Sequence, residues 1–205
     1  MALVAVLPVV AGFVAGSIPF AQIAARLVRG TDLRTVESGT VSGTNLYKVA
    51  GFVPLAVAGV LEVAKGAVGP LIAWDEPVVG AIAGGAAVVG HNWSPFLRGA
   101  GGRGISPSVG ALLVLAWPGA ALLLGGMAVG KLAGETAVGS FVADLLLVPL
   151  LWVTHGPEGA LAGACVLVPM LVKRVVGNAP ATGPGTRSFL HRLVLDRDPP
   201  EPTSP

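Results

Sequence analysis

The chain has 205 residues, of which 53% are hydrophobic and only 12% are charged, and its mean hydropathy is +0.78. This composition is typical of an integral membrane protein and excludes an ordinary soluble domain. The net charge is only +2 and aromatic residues make up 5% of the chain, so the basic and stacking surface of a nucleic-acid-binding protein is missing.

Six apolar runs follow one another along the chain, and several approach the roughly 20 residues that a helix needs to cross hydrocarbon. They lack the polar and apolar alternation of a barrel strand, so we predict an all-α, polytopic helix bundle. The bundle would occupy residues 1–178, and residues 179–205 would form a flexible tail rich in proline and basic residues, with "FLHRLVL" as a short surface helix. The runs cover residues 2–25, 49–73, 77–90, 105–129, 136–153 and 158–172.

The first run has no basic residue before it, whereas Arg26, Arg29 and Arg34 follow it. It is therefore not a cleavable signal peptide, which would begin with basic residues. The positive-inside rule keeps these arginines in the cytoplasm and places the N-terminus outside. Six crossings would then leave the basic tail outside as well. We therefore expect six or seven helices and favour seven, with a further crossing or a re-entrant segment near Pro118 or Pro149.

Polar residues inside apolar runs are costly and often mark functional sites in membrane proteins. Ser17 and Pro19 interrupt the first run, and a proline there frees a carbonyl that a neighbouring helix or a ligand must satisfy. An ordinary kink explains this pair equally well. Glu62 and Lys65, three residues apart in the second run, can form an ion pair facing the bundle interior. A lysine that extends to the membrane surface is the alternative.

Two glycine-rich loops could bind an anion. The first contains "SGTVSGTN", from Ser38 to Asn45, followed by Lys48. Its glycines let backbone amides converge, its polar residues favour helix N-caps, and the lysine adds a full charge. The second, "HNWSPFLRGAGGRG", runs from His91 and includes Arg103. There the backbone can approach a phosphate and a guanidinium can bind two of its oxygens. A capped loop and an interfacial loop are the structural alternatives.

Other site chemistries find no support in the sequence. His91, His155 and His191 lie in separate segments without ligand spacing, so we predict no metal site and no cofactor. The single cysteine, Cys165, lies in an apolar run and is expected to be a small buried residue. Neither a nucleophile elbow nor a Ser-His-Asp order is present. The combined pattern indicates a site for a phosphorylated substrate at the membrane surface.

The ordered segments "GSIPF", "SGTVSGTN", "AKG" and "GHNWSPFLRGAGGRG" resemble the bacterial acyl-phosphate:glycerol-3-phosphate acyltransferase family (PlsY). The resemblance implies a multi-pass enzyme of the cell membrane whose active site faces the cytoplasm. It also implies transfer of a fatty acyl group from acyl phosphate to the 1-hydroxyl of glycerol 3-phosphate, giving lysophosphatidic acid for phospholipid synthesis. The family needs no metal, no coenzyme A and no carrier-protein thioester, and we infer no obligate protein partner for this chain.

The same resemblance implies roles for individual residues and shows where this chain departs from the family. Lys48 stands where the family has arginine, Glu62 where it has aspartate, and Arg103 where it has lysine. Met170 falls at the position of a family asparagine if Lys173 aligns with the arginine that follows it. That loss leaves the identity of the acceptor, and turnover itself, open.

By this resemblance, the implied reaction has no covalent enzyme intermediate, and the phosphate itself takes the hydroxyl proton. Lys48, Ser38 and Arg103 would bind the acceptor phosphate. Gly101, Gly102 and His91 would surround the acyl phosphate, with His91 as a secondary candidate for a general base. Ser17, Asn45 and Lys65 complete the predicted substrate-binding residues.

Two other functions stay open at the level of sequence. A divergent paralogue could use another acceptor or bind lipid without catalysis, and Met170 favours this reading. An anion transporter would need a polar path through the bundle. The short chain and the one-sided basic clusters argue against a transporter.

Overall fold

The computed structural model describes residues 2–36, 39–178 and 185–196. These residues form helices and connecting turns, with no strand among them, so the all-α prediction is confirmed. One-turn 3₁₀ helices lie at Leu33–Thr35 and Pro95–Leu97. The α-helices in the described ranges are α1 (Ala2–Ser17), α2 (Phe20–Arg29), α3 (Gly43–Ala50), α4 (Phe52–Ile72), α5 (Pro77–Asn92), α6 (Ile105–Leu115), α7 (Trp117–Leu132), α8 (Thr136–Val176) and α9 (Gly185–Leu195).

Three helical segments within the described ranges are long and apolar enough to cross a membrane: Ala5–Arg29, Phe52–Ile72 and Thr136–Val176. α6 is apolar but shorter. Large apolar side chains remain exposed along the bundle, among them Leu132 at 90% and Val153 at 82%. Such a surface is unfavourable in water and suits contact with lipid.

α8 is a hairpin of two antiparallel arms. Its backbone leaves the helical region at Gly156, with φ of 64° and ψ of −154°. A Cβ on Gly163 would lie 3.6 Å from the Cα of Val148, although 15 residues of straight helix span about 22 Å. Nη1 of Arg174 likewise donates to the carbonyl of Ala137 at 3.4 Å. The predicted runs 136–153 and 158–172 are therefore the two arms of this hairpin.

The predicted run 105–129 is broken into α6 and α7. Ala116 joins the two helices with an extended backbone, φ of −164° and ψ of 79°, and is followed directly by Trp117 and Pro118. α7 then packs against the first arm of α8, where a Cβ on Gly126 would lie 2.5 Å from the Cβ of Ala143. The break confirms that the region of Pro118 interrupts the run, because proline favours the first turn of a new helix.

α1 and α5 pack backbone to backbone along a row of small residues. Side chains on Gly12 and Gly16 would collide with the carbonyls of Ala83 and Ala87 on α5. Small residues at such contacts let membrane helices approach closely. The close approach brings the end of α1 beside His91 at the end of α5, where the candidate site lies.

α9 lies against the end of α8. Nη1 of Arg192 donates to the carbonyls of Val175 and Val176 at 3.3 and 3.0 Å, and Nη1 of Arg174 donates to that of Leu193 at 3.3 Å. These bonds satisfy carbonyls that a helix C-terminus leaves open. The helix predicted around "FLHRLVL" is thus present, whereas residues 179–184 and 197–205 lie outside the described residues and the flexible tail stays a prediction.

Candidate active site

The site begins at the break between α1 and α2. Pro19 separates the two helices, and Nζ of Lys65 on α4 donates to the carbonyl of Ile18 at 2.6 Å. The backbone N–H of Ala21, in the first turn of α2, donates to Oε1 of Glu62 at 3.2 Å. A neighbouring helix therefore satisfies backbone groups opened by the break. The sequence prediction that Pro19 creates this need is confirmed.

Glu62 is the centre of a buried charge cluster. Its Oε2 lies 2.5 Å from Nζ of Lys65 and 3.0 Å from Nδ1 of His91. Glu62 and Lys65 are 5% and 4% exposed, and buried charges of this kind require close partners. The predicted interior ion pair of Glu62 and Lys65 is therefore confirmed, although Glu62 is not among the residues that the sequence assigns to the substrate site.

The second glycine-rich loop packs directly on His91. With Nδ1 facing Glu62, a neutral His91 ring carries its proton there and leaves Nε2 as an acceptor. A side chain on Gly102 would collide with this Nε2 atom, so glycine is required for the close approach. Oγ of Ser94 donates to the carbonyl of Ser17 at 2.6 Å and fastens the loop to the end of α1.

These residues line a narrow crevice, called the His91 crevice below. The structure brings five predicted site residues to it: Ser17, Lys65, His91, Gly101 and Gly102. The crevice is too narrow in this structure for a water molecule. The remaining lining residues are Pro19, Val41, Glu62, Ser94 and Leu97.

The amides of the paired glycines are already bonded. The N–H of Gly101 donates to Oδ1 of Asn178 at 3.3 Å, and that of Gly102 donates to the carbonyl of His91 at 3.3 Å. In this structure, these two glycines shape the His91 crevice through the close approach that they permit. The sequence-based interpretation of this loop as an anion site depends instead on its backbone approaching a phosphate.

The first glycine-rich loop lies beside the second and is held by Asn45. Nδ2 of Asn45 donates to the carbonyls of Thr40 and Val36 at 3.0 and 3.3 Å. Oγ of Ser42 accepts from the backbone N–H of Asn45 at 3.3 Å and caps α3. Asn45 thus shapes the loop and is absent from the crevice lining. Lys48 is exposed on α3 and also lies outside that lining, and Ser38 lies outside the described residues.

Arg103 points away from the His91 crevice toward the end of the chain. Its Nε lies 2.9 Å from Oδ1 of Asp196, and its Nη1 donates to the carbonyl of Lys173 at 3.0 Å. Burial raises the pKa of the Asp196 carboxyl, although Arg103 and Arg174 both lower it. The predicted phosphate-binding arginine is thus paired with a carboxylate from the segment that follows α9.

A second basic group lies around the end of α8. Lys173 is 1% exposed, and its Nζ lies 5.3 Å from the centre of the Trp93 ring. Nε of Arg174 lies 3.4 Å from Oδ2 of Asp144, which is fully buried in the first arm of α8. Asp144 was missed at the level of sequence, although an acidic residue in an apolar run is itself a signal.

Met170 lies in the core of the bundle. It is 1% exposed, and its sulfur accepts from Oγ of Ser108 at 3.0 Å. The position for which the resemblance implies an asparagine therefore carries a packed thioether next to α6.

A wider cavity of about 200 Å³ lies at the other end of the helices, away from this chemistry. It is lined by Trp74, Leu115, His155 and Glu158, among others. Within the described residues, no group of three His, Cys, Asp or Glu side chains is arranged to hold a metal ion.

Comparisons with known proteins match most of the chain. A family model described as "Glycerol-3-phosphate acyltransferase" matches residues 6–179. The glycerol-3-phosphate acyltransferase of Synechococcus sp. is 35% identical over 165 residues, covering 78% of this chain and 82% of that protein. Glycerol-3-phosphate acyltransferase 5 of Dehalococcoides mccartyi is 36% identical over 163 residues, covering 76% of this chain and 68% of that protein.

Two solved structures share the fold. A crystal structure of PlsY, an integral membrane glycerol 3-phosphate acyltransferase in its glycerol 3-phosphate form, has a TM-score of 0.73 at 24% identity, covering 87% of this chain and 96% of that chain. The lysophosphatidic acid form of PlsY has a TM-score of 0.66 at 22% identity, covering 87% and 95%.

Proposed function

Because the chain belongs to the glycerol-3-phosphate acyltransferase family and is therefore a membrane-bound acyltransferase, we propose that it transfers a fatty acyl group from acyl phosphate to the 1-hydroxyl of glycerol 3-phosphate at the His91 crevice. The products are lysophosphatidic acid and inorganic phosphate. The observation that carries this proposal is the convergence of Lys65, His91 and Gly101–Gly102, from three separate segments, around one crevice.

The reaction needs positioning more than a strong base. The acceptor hydroxyl oxygen attacks the acyl carbonyl carbon, the bond from that carbon to the phosphate oxygen breaks, and the departing phosphate takes the hydroxyl proton. Holding two reactants together can lower the activation barrier by about 7 to 11 kcal/mol in good intramolecular models. Donors near the developing oxyanion add to this. His91, with Nε2 directed at the loop, is the secondary proton acceptor.

The substrate anions are assigned to the two sides of the second glycine-rich loop. The acyl phosphate lies against His91, Gly101 and Gly102, with Lys65 and Ser17 also lining the crevice. The acceptor phosphate is bound by Arg103 together with Lys48 of α3 and Ser38 of the first loop, whose shape Asn45 maintains. The pairing of Arg103 with Asp196 bears on the second assignment, because this ion pair must open when a phosphate binds.

The bundle crosses the membrane seven times, with its N-terminus outside and the His91 crevice facing the cytoplasm. The turns after α4, α6 and the first arm of α8 all line the wider cavity, which lies at the opposite end of the helices from the His91 crevice. Their shared position supports three hairpins that each cross the membrane twice. That end carries Asp75, Glu76 and Glu158, whereas Arg26, Arg34, Arg98, Lys131 and Lys173 lie at the site end. This distribution of charge agrees with a cytoplasmic site.

Labelling with an impermeant thiol reagent tests the orientation. In a Cys165→Ala background, Glu158→Cys should react from outside intact cells and Arg98→Cys should not. The reverse pattern would rule out the proposed orientation.

A direct assay tests the reaction. Purified protein in detergent, given palmitoyl phosphate and radiolabelled glycerol 3-phosphate, should produce labelled lysophosphatidic acid. Arg103→Ala should reduce kcat/KM by about 100-fold, because a charge-assisted contact to the acceptor phosphate is lost. Arg98→Ala is the matched control, since Arg98 is exposed in the same loop. Absence of product with every acyl chain length tried would refute the proposal.

A transferase with another acceptor is the second candidate. It is favoured by Met170, which presents a buried thioether at the position implied to hold an asparagine. A panel of phosphorylated and neutral alcohols should then reveal an acceptor with higher kcat/KM than glycerol 3-phosphate. Complementation of a strain lacking its own acyltransferase would count against this candidate.

A further inference from the structure

Asn178 joins the two glycine-rich loops of the site. It follows Gly177, which has a φ of 66° and turns the chain at the end of α8. Its Nδ2 donates to the carbonyl of Gly101 at 2.9 Å and to that of Gly39 at 3.2 Å. Its Oδ1 accepts from the N–H of Gly101 at 3.3 Å. One side chain therefore binds both backbone groups of Gly101 and also the neighbouring loop.

This set of bonds requires a primary amide. The amide of asparagine has two N–H donors and a carbonyl acceptor, so it can bond both carbonyls and the amide of Gly101 together. Aspartate has the same shape but no donor, and its charge would face the carbonyls of Gly39 and Gly101. Glutamine keeps the chemistry but is longer by one methylene group.

The two loops also touch directly, through the N–H of Val41 donating to the carbonyl of Gly101 at 3.2 Å. This bond and those of Asn178 meet at Gly101. Gly101, Gly102 and Val41 all line the His91 crevice. The position of Gly101 thus fixes the spacing between the two loops, and Asn178 holds Gly101 in that position.

We propose that Asn178 is a positioning residue for acyl transfer: it sets the separation of the two glycine-rich loops without touching either substrate. The proposal rests on the proposed function for its kinetic consequence alone. Displacing reacting groups by about 1 Å can cost about 100-fold in rate. The three hydrogen bonds of the Asn178 side chain to Gly39 and Gly101 are called the clamp below. Loss of the clamp should therefore lower kcat/KM even when the bundle remains folded.

Hydrogen exchange tests the clamp independently of activity. In the full chain in detergent, Asn178→Ala should accelerate exchange in the peptides containing Gly39 and Gly101, and leave α5 and α8 unchanged. Asn178→Asp should do the same, because it removes both donors while keeping the size. Val176→Ala is the matched control, since Val176 lies two residues away with an exposed side chain. Unchanged exchange in both Asn178 variants would overturn the clamp.

Kinetics test the positioning role. Asn178→Ala and Asn178→Asp should lower kcat/KM for acyl transfer by about 10- to 100-fold with little change in thermal unfolding, and Asn178→Gln should restore part of the loss. Faster exchange with unchanged kcat/KM would overturn the positioning role. If Asn178→Ala fails to fold, Asn178→Asp and Asn178→Gln carry the same comparison. If the wild-type protein is inactive with glycerol 3-phosphate, the proposed function is refuted. The hydrogen-exchange result alone then decides whether the clamp exists.

Discussion

Glu62 connects three parts of the site through a single carboxylate. It binds Lys65 on its own helix, His91 on α5 and the amide of Ala21 on α2. Removing one member of a buried charge cluster leaves the others uncompensated, which typically costs about 3 to 5 kcal/mol. Glu62 therefore both stabilises the bundle and fixes the orientation of His91.

Glu62→Gln should destabilise the protein and lower activity more than Glu62→Asp. The amide keeps the shape but removes the charge that faces Lys65, whereas aspartate keeps the charge. Thermal unfolding in detergent and kcat/KM for acyl transfer would be measured for both variants. A larger loss in Glu62→Asp than in Glu62→Gln would contradict this and show that side-chain length, rather than charge, governs the cluster.

Asp32 should make stability depend on pH in the acid range. Arg34 and Arg26 hydrogen bond to its carboxyl, with Nη2 of Arg34 at 2.6 Å, and hold its pKa well below the ordinary value. The carboxylate therefore stabilises the fold above about pH 4, the pKa expected for the unfolded chain, and this contribution is lost as the pH falls further. The unfolding temperature should fall less steeply between pH 5 and pH 3 in Asp32→Asn than in the native chain. Parallel curves would contradict the role of this ion pair.

The α8 hairpin depends on the backbone of Gly156. Its φ of 64° and ψ of −154° belong to a region that only glycine occupies readily, while space for a Cβ is open. Gly156→Ala should therefore destabilise the fold by about 1 to 3 kcal/mol through backbone strain alone. Gly125→Ala is the matched control, because that position is open and lies within helix α7. A stability equal to that of the control would mean that the turn relaxes without cost.

Hydropathy predicted where the apolar elements lie better than where they end. The run 105–129 divides at Ala116 before Pro118, and the run 2–25 divides at Pro19. Proline and glycine set these breaks, and their signals were visible in the sequence. The direction of the chain after each break was not, because a kink and a full reversal can follow the same residues and differ only in long-range packing.

The site residues that belong to a recognisable sequence motif could be predicted, and the others could not. Lys65, His91 and the paired glycines meet as expected, whereas Asn178 and Asp196 acquire their roles through contacts with residues 77 and 93 positions away. Spacing along the chain carries no information on such contacts. The same limit explains Asn45, whose polar side chain holds the backbone of its own loop.

At the scale of the whole molecule, α9 adds a layer outside the family match, which ends at residue 179. Its bonds to the end of α8 hold Asp196 at Arg103. Under the proposed function, a carboxylate at this position would compete with the acceptor phosphate for the guanidinium of Arg103. Burial raises the pKa of Asp196, because the charged carboxylate is less stable there than in water. A competing anion can therefore displace this carboxylate from Arg103 more easily.

Asp196→Asn should lower KM for glycerol 3-phosphate by about fivefold, equivalent to about 1 kcal/mol for one released ion pair, with kcat unchanged. Initial rates over a range of acceptor concentrations would measure this. An unchanged or higher KM would indicate that the pair anchors α9 and that Arg103 does not bind the acceptor.

The narrowness of the His91 crevice bears on side reactions. Acyl phosphate is a mixed anhydride that water attacks as readily as an alcohol does, so a transferase must keep water from its carbonyl carbon. A crevice that leaves no room for a water molecule beside its lining residues favours transfer over hydrolysis in the proposed reaction. For the proposed donor, the ester formed per acyl phosphate consumed would measure how well the contact between the glycine loop and His91 excludes water.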